Sequence, residues 1–287
     1  MPGSICRLCE SERLSLMFEV RGNTLDRCAA CGFVQVREQP TDDELKAIYA
    51  DGYFGRGKYE DQVAQRREND RRLALLGRAG VSAGGRVLEV GCATGEFIAL
   101  AGERYDMWGL DVSPAATAVA RERNPSFAAQ IFTGFIEDQQ FPAAHFEAIV
   151  MWDVIEHLWD PREVCRQLVK YLRPGGSLLL STPDIGAATA RLMRQRWAFM
   201  TPPEHLGFFS TPSLNHLLER DLGLLTTSSE SSGKWANIGF LAYKLRRVFP
   251  VLPEAFVAGV RKSPLGAATM YVPTADVRYV AARKPEV

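Results

Sequence analysis

An α/β fold, with a mostly parallel sheet covered by helices on both faces and a small cysteine-rich unit ahead of it, is what this sequence predicts. Three observations carry that expectation. From Arg86 onward, short apolar runs alternate with helix-like segments; the run Val87 to Val90 enters a turn punctuated by Gly91 and Gly95; and four cysteines near the start are paired at close spacing.

Each element can be justified in order. Cys6, Cys9, Cys28 and Cys31 read Cys-x2-Cys, eighteen intervening residues, Cys-x2-Cys, a spacing that places four sulfurs on two tight knuckles and predicts a zinc ribbon over residues 1–40. Two disulfides are the alternative, and they fit a reducing compartment poorly. Thr41 and Glu44 have capping-box spacing, so a short helix over Asp42 to Tyr49 is expected. Asp51 to Tyr59 interleaves three glycines with three aromatics and reads as a lid or an aromatic strap, and Asp61 to Leu76 reads as a helix; residues 41–81 thus form a helical and aromatic segment.

The domain over residues 82–287 follows. Strands are expected at Arg86 to Val90, Met107 to Leu110, Ala129 to Phe132, Ala148 to Trp152 and Ser177 to Ser181, with helices opening at Glu96, Pro114 and Pro161, the last capped by Asp160. Leu214 to Arg220 reads as a helix, and Leu224 to Ser228 and Val277 to Ala281 read as the last two strands. An insertion over about 234–273 separates those strands. In it Trp235, Ile238, Ala242, Leu245 and Phe249 recur at helical spacing beside six cations, Lys234, Lys244, Arg246, Arg247, Arg261 and Lys262.

Composition narrows the function. Lys plus Arg and Asp plus Glu are both 34, so no net charge argues for electrostatic capture of nucleic acid, and none is expected as a partner. A hydrophobic fraction of 46% fills a core, the start lacks an apolar leader, and no uncharged run approaches the roughly twenty residues of a spanning helix. The expectation is a cytoplasmic protein.

The chemistry gathers at the ends of the strands. Gly91 and Gly95 allow a ligand close to the backbone of the turn, and Asp111, closing the next strand, stands where an acid accepts ribose hydroxyls. Gly-x-Gly-x-x-Gly is absent, since Cys92 and Ala93 follow Gly91, which argues against a dinucleotide.

Five stretches in order, Glu89-Val-Gly-Cys-Ala-Thr-Gly95, Gly109-Leu-Asp-Val-Ser113, Gly134-Phe-Ile-Glu-Asp138, Met151-Trp-Asp-Val-Ile-Glu-His-Leu158 and Leu172-Arg-Pro-Gly-Gly176, resemble the motifs of class I S-adenosylmethionine-dependent methyltransferases over most of residues 82–283. Within that family the sequence is similar to ubiquinone-biosynthesis O-methyltransferases and to zinc-ribbon sugar methyltransferases. The resemblance implies a Rossmann-like, mostly parallel seven-stranded sheet. It also implies an S-adenosylmethionine site made by Glu89, Gly91, Cys92, Gly95, Asp111, Val112, Ile136, Glu137, Trp152 and Asp153. Gly91 and Gly95 would border the methionine part, Asp111 the ribose and Ile136-Glu137 the adenine; Phe135 departs from the acid often found after the third motif's glycine.

The implied reaction is methylation of a small-molecule acceptor, first an oxygen of a sugar, quinone or natural-product intermediate. A hydroxyl acceptor must lose its proton, so His157 is the expected base, with Glu156 or Asp153 orienting it and His205 as the second candidate. Alternatively, Asp153, Glu156 and His157 would bind Mg2+. The cationic insertion could touch an anionic membrane or a pyrophosphate-linked acceptor. The rival functions are an RNA methyltransferase and a catalytically silent protein that binds adenosylmethionine or recruits partners.

Overall fold

Strand positions follow from which apolar runs can be buried on both faces. A computed structural model of the chain describes residues 5–41, 44, 61–248 and 253–286. The expected helix at Asp42 to Tyr49 and the aromatic segment at Asp51 to Tyr59 lie outside the described residues. The capping box itself forms, with Thr41 N donating to Glu44 Oε2 at 2.8 Å and Glu44 N donating to Thr41 Oγ1 at 3.3 Å.

In chain order the elements are β1 (Leu14–Val20), β2 (Asn23–Cys28), β3 (Val34–Val36), α1 (Gln62–Arg78), β4 (Arg86–Val90), α2 (Glu96–Ala101), β5 (Asp106–Asp111), α3 (Pro114–Arg123), β6 (Ile131–Thr133), β7 (Phe146–Trp152), α4 (Pro161–Tyr171) and β8 (Leu172–Pro183). They continue with α5 (Ala188–Met193), β9 (Gly207–Phe208), α6 (Thr211–Asn215), β10 (Leu225–Asn237), α7 (Ile238–Val248), α8 (Glu254–Lys262), α9 (Pro264–Ala267) and β11 (Thr269–Arg283). A seven-stranded sheet runs β10-β11-β8-β7-β4-β5-β6. Strands β8, β7, β4, β5 and β6 are parallel, while β11 and β10 are antiparallel additions. Strand β7, near its middle, is buried from Ala148 to Trp152, because helices cover both of its faces.

The starts of α3 and α4 carry side-chain caps, that of Asp160 as expected from sequence. Ser113 accepts from Ala116 N before Pro114, and Asp160 accepts from Glu163 N before Pro161. Against the expectation that Pro174-Gly-Gly176 precedes the fifth strand, β8 already begins at Leu172. Gly175, at φ +72, takes the bend, and its N–H donates to Lys284 O, so the turn stays in the ladder. The last two strands are also longer than expected. They pair from Leu225↔Arg283 to Asn237↔Thr269, so Trp235 lies on a strand, and the helical insertion is α7 to α9. On those helices Leu245, Phe256 and Leu265 are exposed. No helix among the described residues is long and apolar enough to cross a membrane.

The cysteine-rich unit does not stand apart. Its three strands form a sheet of order β1-β2-β3-β9, and β9 comes from the larger domain. Phe33 packs on Phe209 with ring centroids 4.8 Å apart, so both regions share one apolar cluster.

Ile149 has no exposed surface and sits in the middle of β7, paired with β4 and β8. Ile149→Ala should cost about 2 to 5 kcal/mol of stability. A urea unfolding curve followed by circular dichroism checks this, and an unchanged midpoint would contradict the core placement.

Candidate functional site

A crevice opens at the carboxyl ends of β4, β5 and β7, and its floor is the turn after β4. Gly91 and Gly95 have φ of +76 and +77. A Cβ on Gly91 would stand 2.4 Å from Val154 Cγ2, and one on Gly95 would stand 2.5 Å from Asn124 Nδ2, so both sites demand glycine for conformation and for space. Asp111 braces this turn: its Oδ2 accepts from Ala93 N and its Oδ1 from Ser113 N, both at 2.9 Å. Burial pushes the Asp111 carboxyl upward, while those two amide bonds pull it down.

Glu89, on β4, is 4% exposed, and its Oε2 has no hydrogen-bond partner among the described residues. Burial holds its carboxyl well above the ordinary range. Trp152 Nε1 is likewise buried without a partner. Cys92 is buried and packs beside Gly109, as a space-filler would. Ile136 is buried in a 3-10 turn, and Glu137 in the same turn is exposed. Val112 and Phe135, just past the paired ends of β5 and β6, are 42% and 60% exposed. Two exposed apolar side chains on adjacent strand ends suit a flat aromatic ligand, and the sequence reading took Phe135 only as a departure from pattern.

The fourth strand's end is organised differently from expectation. Asp153, at φ 58, accepts from Arg72 Nη2 at 3.1 Å and Lys234 Nζ at 2.7 Å through Oδ2, and from Ser181 Oγ through Oδ1. Its carboxylate joins α1 and β10 to the end of β7, and the group of close ligand atoms beside it is Glu156, His157 and His205, without Asp153. Lys234, expected on a cationic surface stripe, is instead half-buried and paired with Asp153. Burial opposes its charge, but the carboxylate keeps the ammonium protonated.

Glu156 and His157 lie in a 3-10 turn, Ile155–His157, and His205 precedes β9. Leu206 N donates to Glu156 O at 2.8 Å and joins the two segments. His157 Nδ1 bonds Glu204 O at 2.8 Å, and His205 Nδ1 bonds Phe199 O at 2.9 Å. A carbonyl only accepts, so both rings carry their proton on Nδ1, and Nε2 is the basic nitrogen of each. The rings meet edge to face, centroids 4.8 Å apart. Thus a backbone carbonyl holds the Nδ1 of each imidazole.

Glu156 is 2% exposed, and its Oε2 accepts from Thr182 Oγ1 at 2.9 Å. Burial, aided by the Asp153 charge, pushes its carboxyl up to about 8. Glu156, His157 and His205 each offer a ligand atom within 4.8 Å of the others and so could hold a cation. Two nitrogens and one oxygen suit a transition metal better than Mg2+.

In the amino-terminal unit, the four cysteines converge. Cys6 Sγ and Cys31 Sγ are 3.6 Å apart, as are Cys9 Sγ and Cys28 Sγ, too far for disulfides. The edge of a tetrahedral zinc–thiolate site is about 3.8 Å, so the set fits that ion. The Cys31 thiol, donating to Cys6, holds Cys6 down to about 5.

The Glu156 carboxyl gives a pH test. Its ordinary value is 4.5, so between about 4.5 and 8 the unfolded chain releases this proton first and folding stability falls as pH rises; below 4.5 both states hold it. Glu156→Gln should therefore gain stability relative to wild type across that window, on the order of 1 to 3 kcal/mol by its upper end. Thermal melts from acid to mildly alkaline pH check this, and parallel profiles would contradict it.

Comparison with known proteins places these features in a family. A family model for the methyltransferase domain matches residues 60–226, a span holding the β4 turn, Asp111, Glu156, His157 and His205. A Mycolicibacterium smegmatis protein described as a probable S-adenosylmethionine-dependent methyltransferase is 38% identical over 105 residues, covering 36% of this chain and 39% of that one. A ubiquinone biosynthesis O-methyltransferase of Thiobacillus denitrificans is 30% identical over 118 residues, covering 40% of this chain and 51% of that one. The chain thus spans about half or less of the length of these curated relatives. The solved structure of the YcgJ protein from Bacillus subtilis shares the fold, with a TM-score of 0.54, 15% identity, and coverage of 76% of this chain and all of that one. With a match across more than half of its residues, holding the glycine turn and the acid of the next strand, the chain belongs to the methyltransferase domain family.

Proposed function

We propose that the chain is an S-adenosylmethionine-dependent methyltransferase that methylates an oxygen of a small molecule. The observation that carries this reading is the imidazole pair, His157 and His205, each oriented by a backbone carbonyl so that Nε2 is basic, on the segment that follows the cofactor crevice. Val154, three residues before His157, packs against the Gly91 turn and links the two sites.

The crevice fits the cofactor on its own chemistry. Its backbone is stripped of side chains at Gly91 and Gly95, Glu89 Oε2 is buried without a partner among the described residues, and Asp111 is an acid at the next strand end. Glu89 would hold the amino-acid part, Asp111 the ribose, and Val112, Phe135 and Ile136 the base. When bound, S-adenosylmethionine supplies an electrophilic methyl group. The chain supplies position and proton transfer. Apolar Trp152 and Val154 keep water scarce, and Nε2 of His157, the less buried ring, takes the acceptor hydroxyl's proton. Glu156, neutral near pH 7 in this setting, acts as a hydrogen-bonding wall rather than a second negative charge.

A sugar, a quinone or a natural-product phenol meets these needs. The exposed Leu245, Phe256 and Leu265 beside Arg261 and Lys262 favour an acceptor approached from a lipid surface or carried on an anionic anchor. In the amino-terminal unit, Zn2+ is the ion that the four thiols would hold.

The test is methyl transfer itself. Purified protein and S-adenosylmethionine, added to cell extract lacking the protein, should produce a metabolite heavier by one methylene group in mass spectrometry. His157→Ala should lower that product at least about a hundredfold while cofactor affinity holds. A full rate in both His157→Ala and His205→Ala would remove proton abstraction from the account.

A further inference from the structure

The cysteine-rich unit reaches the imidazole pair through one side chain. Arg7 lies between Cys6 and Cys9 on the first knuckle, where its backbone N donates to Gln35 Oε1 at 2.9 Å. Its guanidinium leaves that unit. Nη1 donates to Val36 O at 2.7 Å, Nη2 donates to Leu206 O at 3.0 Å, and the plane lies over the Trp159 ring, 3.6 Å from its centroid. Leu206 follows His205, and Trp159 stands two residues after His157. Arg7 therefore touches both segments that carry the candidate base.

Those segments need an external hold. Between α5 and β9 the chain has only a 3-10 turn at Arg194–Arg196 and irregular backbone before His205. Leu206 O is shared by Val36 N, at 3.0 Å, and by Arg7, while Leu206 N bonds Glu156 O. Pairing of β3 with β9, Val34↔Phe208 and Gln35↔Gly207, continues the same line of contacts. If Leu206 shifts, the Phe199 and Glu204 carbonyls that set the ring protons shift with it. A guanidinium is suited to this task, because it donates in two directions while stacking flat on an aromatic ring; an ammonium does neither at once.

We propose that Arg7 is a positioning residue for His157 and His205, so that the four-cysteine unit sets the geometry of the acceptor site rather than merely preceding it. The role rests on reading those histidines as the proton-accepting pair, but it can be tested without turnover. The chain has four histidines, so nitrogen-15 imidazole spectra of the full-length, zinc-loaded protein at alkaline pH resolve each ring's tautomer, with His145→Gln and His216→Gln variants for assignment.

Wild type should show the Nδ1–H form for His157 and His205. Arg7→Ala should lose that single-tautomer signature, with a severalfold rise of the Nε2–H form at His205, while bound zinc and affinity for S-adenosylhomocysteine stay within twofold of wild type. Arg7→Lys should restore it only in part. Should Arg7→Ala shed zinc, Trp159→Leu becomes the deciding variant, since it removes the stack from the other side. Wild-type tautomers in the deciding variant would overturn the proposal, whereas altered tautomers with zinc retained would support it. Altered tautomers in Arg7→Ala beside a full rate in both His157→Ala and His205→Ala would sink the catalytic reading and leave this one standing.

Discussion

The carboxylate of Asp111, bonded to the amides of Ala93 and Ser113, makes the turn after β4 and the end of β5 a single rigid unit. Without it, a loop held by two left-handed glycines would have several conformations to choose from, since glycine lowers the cost of all of them. Burial at 9% exposure means that the bonds form where water competes poorly. The acid thus belongs to the architecture before any ligand arrives, and it presents an ordered crevice rather than one to be built on binding.

From this unit the site extends through contacts with β7. Val154 fills the space against Gly91, and the chain then turns into Glu156 and His157. The charges nearby have a division of labour. Asp153 pairs with Arg72 and Lys234 and ties three elements together, while burial and the Asp153 charge push the Glu156 carboxyl upward. On the proposed reading, the imidazoles are the basic groups that serve an acceptor.

Much of this was legible in the sequence because its causes are local. The Gly91 to Gly95 spacing, the position of Asp111 at a strand end and the Asp160 cap each act within a few residues, and the structure places them where those rules say. Long-range causes were hidden. The cationic stripe failed at Lys234 because a partner, Asp153, lies 81 positions away in the chain, and pairing with it outweighs helical periodicity. The same holds for β9: two residues, Gly207 and Phe208, carry no strand signal of their own and are strand only because β3 lies beside them. That the Glu204 and Phe199 carbonyls would hold the Nδ1 atoms of the imidazoles also had no local signature. Exposed Phe135 did carry a signal, as an apolar residue placed after a strand-end glycine.

Calorimetric titration of the folded, ligand-free protein with S-adenosylhomocysteine tests the crevice most directly. The account expects one site per chain in the wild type and an affinity weaker by about 1 to 3 kcal/mol in Asp111→Ala, whose turn loses its brace and whose ligand loses its acceptor. No heat from the wild type, or an affinity that Asp111→Ala leaves unchanged, would contradict it.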